Sequence, residues 1–162
     1  MIRATSIILF LVHALLLPLH AEEELQVRSR HNLDDNKLAI QGYDPVSYFD
    51  GTPTLGMESI EIEYKGIHYR FSNTSNRDRF TAASQSFEPQ YGGWCAYAML
   101  DDKQVEINPE RFKIINQKLY LYYDAFWGNT LKKWNKEAEV ETENSLVSRA
   151  DKNWAIQSSS GQ

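Results

Sequence analysis

The segment Glu88–Ala96 constrains the fold of this chain more than any other. It combines a proline, two adjacent glycines, two aromatic residues and the only cysteine. Pro89 ends a preceding helix, because proline lacks the amide hydrogen that a helix uses. Gly92 and Gly93 permit positive φ angles and let another group approach the backbone closely. The segment therefore predicts a special turn, with Cys95 directly behind it.

The N-terminus has the pattern of a secretory signal peptide. Arg3 supplies a positive charge, an apolar stretch follows, and Ala21 precedes an acidic run. The stretch is shorter than the about 20 apolar residues of a membrane-spanning helix. We therefore expect residues 1–21 to be cleaved and the protein to be periplasmic or secreted, with no transmembrane segment after cleavage. An uncleaved N-terminal anchor is the alternative.

Charge and cysteine content limit the partners and the means of stabilisation. The chain of 162 residues has a net charge of −5 and no run rich in lysine or arginine, which argues against nucleic acid as a partner. A single cysteine cannot form a disulfide within the chain. The domain must therefore rely on its core, for which a 12% share of aromatic residues supplies the material.

Alternating side chains predict two hairpins. Residues 60–64 alternate apolar residues with glutamates, and residues 67–72 alternate apolar with polar residues. A turn at Lys65 and Gly66 places Glu63 opposite His68. Residues 112–114 and 119–123 form the second predicted pair, with a turn at 116–117. A further short strand is expected at 105–107.

Helical signals surround these strands. Asp44 followed by a proline fits a helix start, and residues 76–86 have helical spacing. Trp127, Leu131, Trp134 and Ala138 share one helical face, and a second stripe covers 147–154. The expected fold is α+β, a small antiparallel sheet with helices on one face and a C-terminal helical extension.

These elements suggest five regions. Residues 1–21 are the signal and 22–37 a polar, flexible lead-in. Residues 38–126 form the α+β domain, 127–156 the C-terminal helices, and 157–162 a disordered tail.

Three blocks of uncommon residues occur in order along the α+β domain. They are Gly42-Tyr43-Asp44-Pro45-Val46-Ser47-Tyr48-Phe49, then Gly66-Ile67-His68-Tyr69-Arg70-Phe71-Ser72, then Pro89-Gln90-Tyr91-Gly92-Gly93-Trp94-Cys95-Ala96. In this order the chain resembles the exported YHS-domain proteins of bacteria. The resemblance implies an α+β domain, and in the wider group metal binding through cysteines; the small exported members have no established reaction.

The favoured interpretation is a non-enzymatic module that binds a small ligand or a metal ion. Its expected site lies where the loop of Tyr91, Gly92, Gly93 and Cys95 meets Tyr43 and Asp44. Cys95 and His68 are the candidate metal ligands, since thiolate and imidazole suit copper or another transition metal. A packed, inert thiol and a cross-strand Glu63–His68 charge pair are the structural alternatives.

Two other functions stay open. A thiol enzyme would use Cys95 as nucleophile and His68 as base, which requires the two within hydrogen-bond reach. An interaction module would expose Trp134 or Trp154 of the C-terminal helices to a protein partner.

Overall fold

A computed structural model describes residues 25–126 and 128–160, so the predicted signal and Trp127 lie outside the described residues. The α+β class is confirmed: the described residues form six helices and three two-stranded antiparallel sheets. None of these helices is both long and apolar enough to span a membrane.

The secondary-structure elements follow one another in a simple order. The helices are α1 (residues 25–30), α2 (Thr74–Ala82), α3 (Ser84–Phe87), α4 (Ala96–Met99), α5 (Thr130–Glu141) and α6 (Glu143–Ser160). The strands are β1 (Met57–Tyr64), β2 (Ile67–Phe71), β3 (Asn108–Ile115), β4 (Lys118–Tyr122), β5 (Asp124–Ala125) and β6 (Gly128–Asn129). Short 3-10 turns cover Ile40–Gly42, Ser47–Asp50 and Gln90–Gly93.

Both predicted hairpins form, and the first has the predicted register. Strands β1 and β2 pair Glu63 with His68 around a turn at residues 65–66. Strands β3 and β4 pair Ile114 with Leu119 around a turn at 116–117, where both residues have positive φ. In the first hairpin the register follows from the alternating burial along β2, because a slip of one residue would turn its apolar face outward.

Other boundaries differ from the sequence-based prediction. Residues 105–107 are not a strand. Helix α2 begins at Thr74, because the Asn73 side chain accepts a hydrogen bond from the Asn76 amide and caps it. A break at Ala83 separates α2 from α3, and helix α6 extends to residue 160, where a disordered tail was expected.

The segment around the cysteine runs beside β4. Pro89 bridges Leu119 and Cys95 bridges Leu121, both in parallel. Between the two bridges β4 advances by two residues, whereas the segment advances by six. The surplus forms the turn Gln90–Gly93, which the double glycine makes possible.

The core has two parts. The first, around Phe71 and Phe80, packs the β1–β2 hairpin against α2 and the loops. The second joins Tyr122 of β4 to Trp134 of α5 and Leu146 of α6, all fully buried. The C-terminal helices therefore complete the domain core and are not an extension outside it.

The described part of the lead-in is folded, contrary to the prediction of a flexible segment. Residues 25–33, here called the N-terminal strap, begin with α1, bend at His31 and end at an isolated bridge between Leu33 and Ala39. Val27 and Leu33 pack against the first core. The amide of Asn32 donates to the carbonyl of Gly92 at 2.9 Å, which ties the strap to the turn Gln90–Gly93.

Candidate functional site

Asp44 is a structural centre and not part of an open site. Its side chain is completely buried. One carboxylate oxygen accepts from the Val46 amide at 2.9 Å. The other accepts from the amide and hydroxyl of Ser72 and from the Asn76 side chain, at 2.7–2.9 Å. These four bonds use the acceptor capacity of the carboxylate, so the predicted ligand-binding role of Asp44 is not supported.

Cys95 lies inside the core and does not line either of the two described cavities. Its side chain is fully buried. The sulfur lies 3.3 Å from the Thr130 hydroxyl and 3.4 Å from the amide nitrogen of Tyr123. The parallel bridge to β4 turns the residue inward, which the sequence did not indicate. Cys95 thus corresponds to the packed thiol that was the structural alternative.

His68 lies on the outer side of the first hairpin. Its Nδ1 is 2.9 Å from Glu61, whose other oxygen accepts from Arg70 Nε at 2.8 Å. The hydrogen bond from Arg70, followed by that from His68, lowers the pKa of Glu61. Cross-strand charge pairing is therefore present, but the partner of His68 is the diagonal Glu61 and not the directly opposite Glu63.

The donor atoms do not fit the predicted metal site. Cys95 already contacts a hydroxyl and an amide in the core, while His68 belongs to a solvent-facing cluster with Glu61. Within the described residues no group of three or more histidine, cysteine, aspartate or glutamate side chains could hold a metal ion. The same placement leaves Cys95 without His68 as a base.

Tyr43 and Tyr91 line different cavities. Tyr43 borders a shallow cavity of about 440 Å3, where its hydroxyl donates to Glu110 at 3.4 Å. Tyr91, Gly92 and Gly93 border a larger cleft of about 710 Å3. The predicted site is therefore split, and only its glycine loop reaches the larger opening.

The larger cleft, here called the strap cleft, lies where six parts of the chain meet. Its lining comes from residues 30–33 of the strap, residues 39–40, Lys65 and Tyr69 of the first hairpin, residues 85–86 and 88–93, the turn 116–118, and Trp154 of α6. Sequence reasoning missed the strap residues, including His31. The one available signal was the apolar pair Val27 and Leu33 within a polar segment.

The double glycine forms one border of the cleft through a close backbone contact. A Cβ atom at Gly92 would lie 2.1 Å from the carbonyl oxygen of Arg30. Gly92 also has a φ of +60°, which side-chain-bearing residues rarely adopt. The Asn32 side chain donates to the carbonyl of Gly93 at 3.3 Å. The two glycines thus form the backbone surface against which the N-terminal strap packs.

Tyr91 holds the glycine turn from the opposite direction. Its hydroxyl donates to Asp151 of α6 at 2.9 Å, and its ring meets Trp154 edge to face. Burial, and then the Asp151 carboxylate, raises the pKa of Tyr91 well above its usual range. Tyr91 itself has a positive φ of 57°. Such a conformation persists only where surrounding contacts fix it, as they do here.

Charged groups in the cleft are unevenly distributed. Lys65 pairs with Glu88 at 3.3 Å, and Glu88 is the one carboxylate in the described lining. His31 Nδ1 lies 2.9 Å from the carbonyl of Val27, so this nitrogen carries the hydrogen. Burial lowers the pKa of His31. The imidazole is therefore neutral near pH 7, with an unprotonated Nε2.

Trp134 and Trp154 do not present an exposed face. Trp134 is fully buried, and its indole nitrogen donates to Glu143 at 3.1 Å. Trp154 is partly buried against Tyr91. The exposed tryptophan surface expected of an interaction module is thus not present at Trp134.

Comparisons with protein-family models, with curated proteins and with solved structures found no match for this chain. The assignment of function therefore rests on the geometry of the strap cleft.

Proposed function

We propose that the protein is an exported, non-enzymatic module of the YHS type that binds a small ligand in the strap cleft. The observation that carries the proposal is a cleft of about 710 Å3 bordered by Tyr91, Gly92 and Gly93. Small-molecule sites commonly enclose about 300–1,000 Å3 and combine apolar walls with a few polar groups. The loop that carries the YHS resemblance thus borders the larger of the two described cavities.

The walls of the cleft suit a small molecule. The partly buried Trp154 supplies aromatic surface, and exposed amide side chains such as Asn116 supply hydrogen-bonding groups. The glycine turn is held by the strap on one side and by α6 on the other. A site fixed in this way loses little conformational freedom when a ligand binds, which favours affinity.

A catalytic function has weaker support. The one thiol is enclosed in the core, with Thr130 and the backbone of Tyr123 as its polar neighbours. A nucleophile needs an adjacent base and access to substrate. Cys95 has neither among the described residues, so ligand binding without covalent chemistry is the better-supported function.

Ligand binding can be tested with a variant that fills the cleft. Ser86 lines the strap cleft and is exposed. Ligand-observed NMR screening would first identify a ligand of the wild type. We expect Ser86→Trp to lower the affinity for that ligand by about tenfold or more. Thr81→Trp, on the exposed surface of α2 and outside the described lining, is the control and should leave the affinity unchanged.

The screen can also contradict the proposal. Ligands that bind the wild type and Ser86→Trp equally well would place binding elsewhere.

Export has its own test: the intact mass of the exported protein should correspond to a chain that begins at or near Glu22. A full-length, membrane-bound form would overturn that part of the proposal.

A further inference from the structure

We infer that the ligand of the strap cleft is a small organic anion, with a carboxylate or phosphate group and a flat apolar body. This inference rests on the proposed function and specifies its ligand class. The chain as a whole carries a net charge of −5. The described lining of the cleft reverses this sign, with three fixed cations, Arg30, Lys65 and Lys118, against the single carboxylate of Glu88.

The carboxylate in the lining is already neutralised. Glu88 is 20% exposed, and both of its oxygens lie within 3.4 Å of Lys65 Nζ. The remaining positive charges of the cleft therefore belong to Arg30 and Lys118. Neither forms a hydrogen bond or ion pair with another of the described residues that would balance it.

The two cations come from separate parts of the fold. Arg30 belongs to the strap, whose backbone is held against Gly92, and Lys118 begins β4 after the turn 116–117. Positive groups that converge on one cleft from distant sequence positions concentrate potential there, because the low-dielectric walls focus the field. The cleft should therefore attract anions although the whole protein repels them.

The remaining lining defines the rest of the ligand. The partly buried Trp154 offers an apolar surface to a flat group, whereas the Tyr69 and Tyr91 rings, at 2% and 3% exposure, contribute little. The neutral His31 ring, which faces the charges of Glu88, Arg30 and Lys65, adds a hydrogen-bond acceptor near neutral pH and a further cation on protonation. An aromatic carboxylate or an aryl phosphate ester combines these features.

The test compares probes of equal shape and different charge. We expect phenyl phosphate and benzoate to shift the 15N–1H NMR signals of Gly92, Gly93 and the Trp154 indole. Benzyl alcohol and benzylamine should bind at least about tenfold more weakly, and rising salt should weaken the anions selectively.

Matched charge-removing variants locate the anion. Lys118→Gln should weaken phenyl phosphate binding by about fivefold or more and leave benzyl alcohol binding unchanged. Lys103→Gln is the control, because Lys103 is exposed and outside the described lining. Both lysines are exposed, so the substitutions leave folding intact.

The possible failures are distinguishable. If benzyl alcohol or benzylamine binds in the cleft as tightly as phenyl phosphate, the anion inference is wrong and the small-ligand function stands. An equal loss in the Lys103→Gln control would show a nonspecific charge effect and also overturn the inference. If no probe moves the cleft signals, both the inference and the proposed cleft function fail.

Discussion

At the scale of single residues, two polar side chains that were predicted to bind a ligand have structural roles instead. Asp44 and Cys95 were predicted to line a site, yet both are fully buried and bonded within the protein. Asp44 joins the loop before β1 to the end of β2 and to α2 through three hydrogen bonds, and a fourth bond to the Val46 amide lies within the loop. Its conspicuous place in the sequence block therefore has a structural explanation.

The first prediction concerns Asp44. Asp44→Asn replaces an acceptor oxygen by an amide donor that faces the donors of Ser72 and Asn76. We expect it to lower the free energy of unfolding by about 2–3 kcal/mol, since it leaves buried groups unpaired. Asp50→Asn, which breaks an exposed pair with Arg79, should cost less than about 1 kcal/mol. Urea unfolding of both variants measures this, and equal losses would contradict the central role of Asp44.

The second prediction concerns the pH dependence due to His31. The unfolded pKa is near 6.5 and burial lowers the folded pKa, so the unfolded state binds the proton more readily. The contribution of His31 to stability is full above pH 6.5 and is lost as pH falls from there through the folded pKa. His31→Asn keeps a donor for Val27 and cannot titrate.

Thermal unfolding of wild type and His31→Asn should therefore be compared between neutral and acidic pH. The stability difference between the two proteins should be constant above pH 6.5 and should shift in favour of the variant as the pH falls. Glu88, Arg30 and Lys65 surround the ring and are common to both proteins, so their effects cancel. Parallel pH curves would show that His31 is not buried as described.

At the scale of elements, local pairing was predictable and long-range pairing was not. The β1–β2 register follows from alternation and a two-residue turn, both of which are visible in the sequence. The bridges from Pro89 and Cys95 to β4 leave no such pattern, because they join distant segments. The strap was missed for a related reason: one of its ties to the turn is a backbone hydrogen bond from Asn32 to Gly92, which any polar sequence can form.

A third prediction tests the first hairpin. Ile62 packs against the core opposite Tyr69, while Glu63 is exposed. Ile62→Asp should destabilise the protein by about 2 kcal/mol or more, because it places an unpaired charge against apolar groups. Glu63→Gln should change stability by less than about 1 kcal/mol. Chemical denaturation distinguishes them, and a larger loss for Glu63→Gln would make the register wrong.

A fourth prediction tests the docking of the strap. Gly92→Ala places a methyl group against the Arg30 carbonyl and forces a side chain into positive φ. Gly51→Ala has a similar φ of +83° with nothing near the added atom, so it controls for the backbone effect. We expect Gly92→Ala to cost about 1 kcal/mol more than Gly51→Ala and to open residues 25–33 to proteolysis. Equal cleavage of the two variants would show that the strap does not depend on Gly92.

At the scale of the whole molecule, the two core clusters form one unit. Tyr97 packs against both clusters, and β4 supplies Leu119 to the first and Tyr122 to the second. The sequence indicated most of the apolar stripes of α5 and α6, but residues 128 and 129 of the predicted helix form β6, and the buried Leu146 was not in the predicted stripe. It could not show that these stripes cover β4, since nothing in their spacing identifies the partner surface.

The fifth prediction follows from this shared core. Leu146 of α6 is fully buried, and Leu146→Ala should cost about 2–5 kcal/mol. Val140→Ala, at a position 84% exposed, should have an effect below about 0.5 kcal/mol. Unfolding should stay a single transition by fluorescence and circular dichroism. Two separate transitions would mean that the C-terminal helices fold independently.

The strap also links the two ends of the described chain. Asn32 donates to the carbonyl of Gly93, 61 positions later. The turn that carries Gly93 is held by Asp151, 60 positions beyond Tyr91. A chain that ends before α6 lacks the Asp151 contact, so its strap would meet a turn that is supported from one side only.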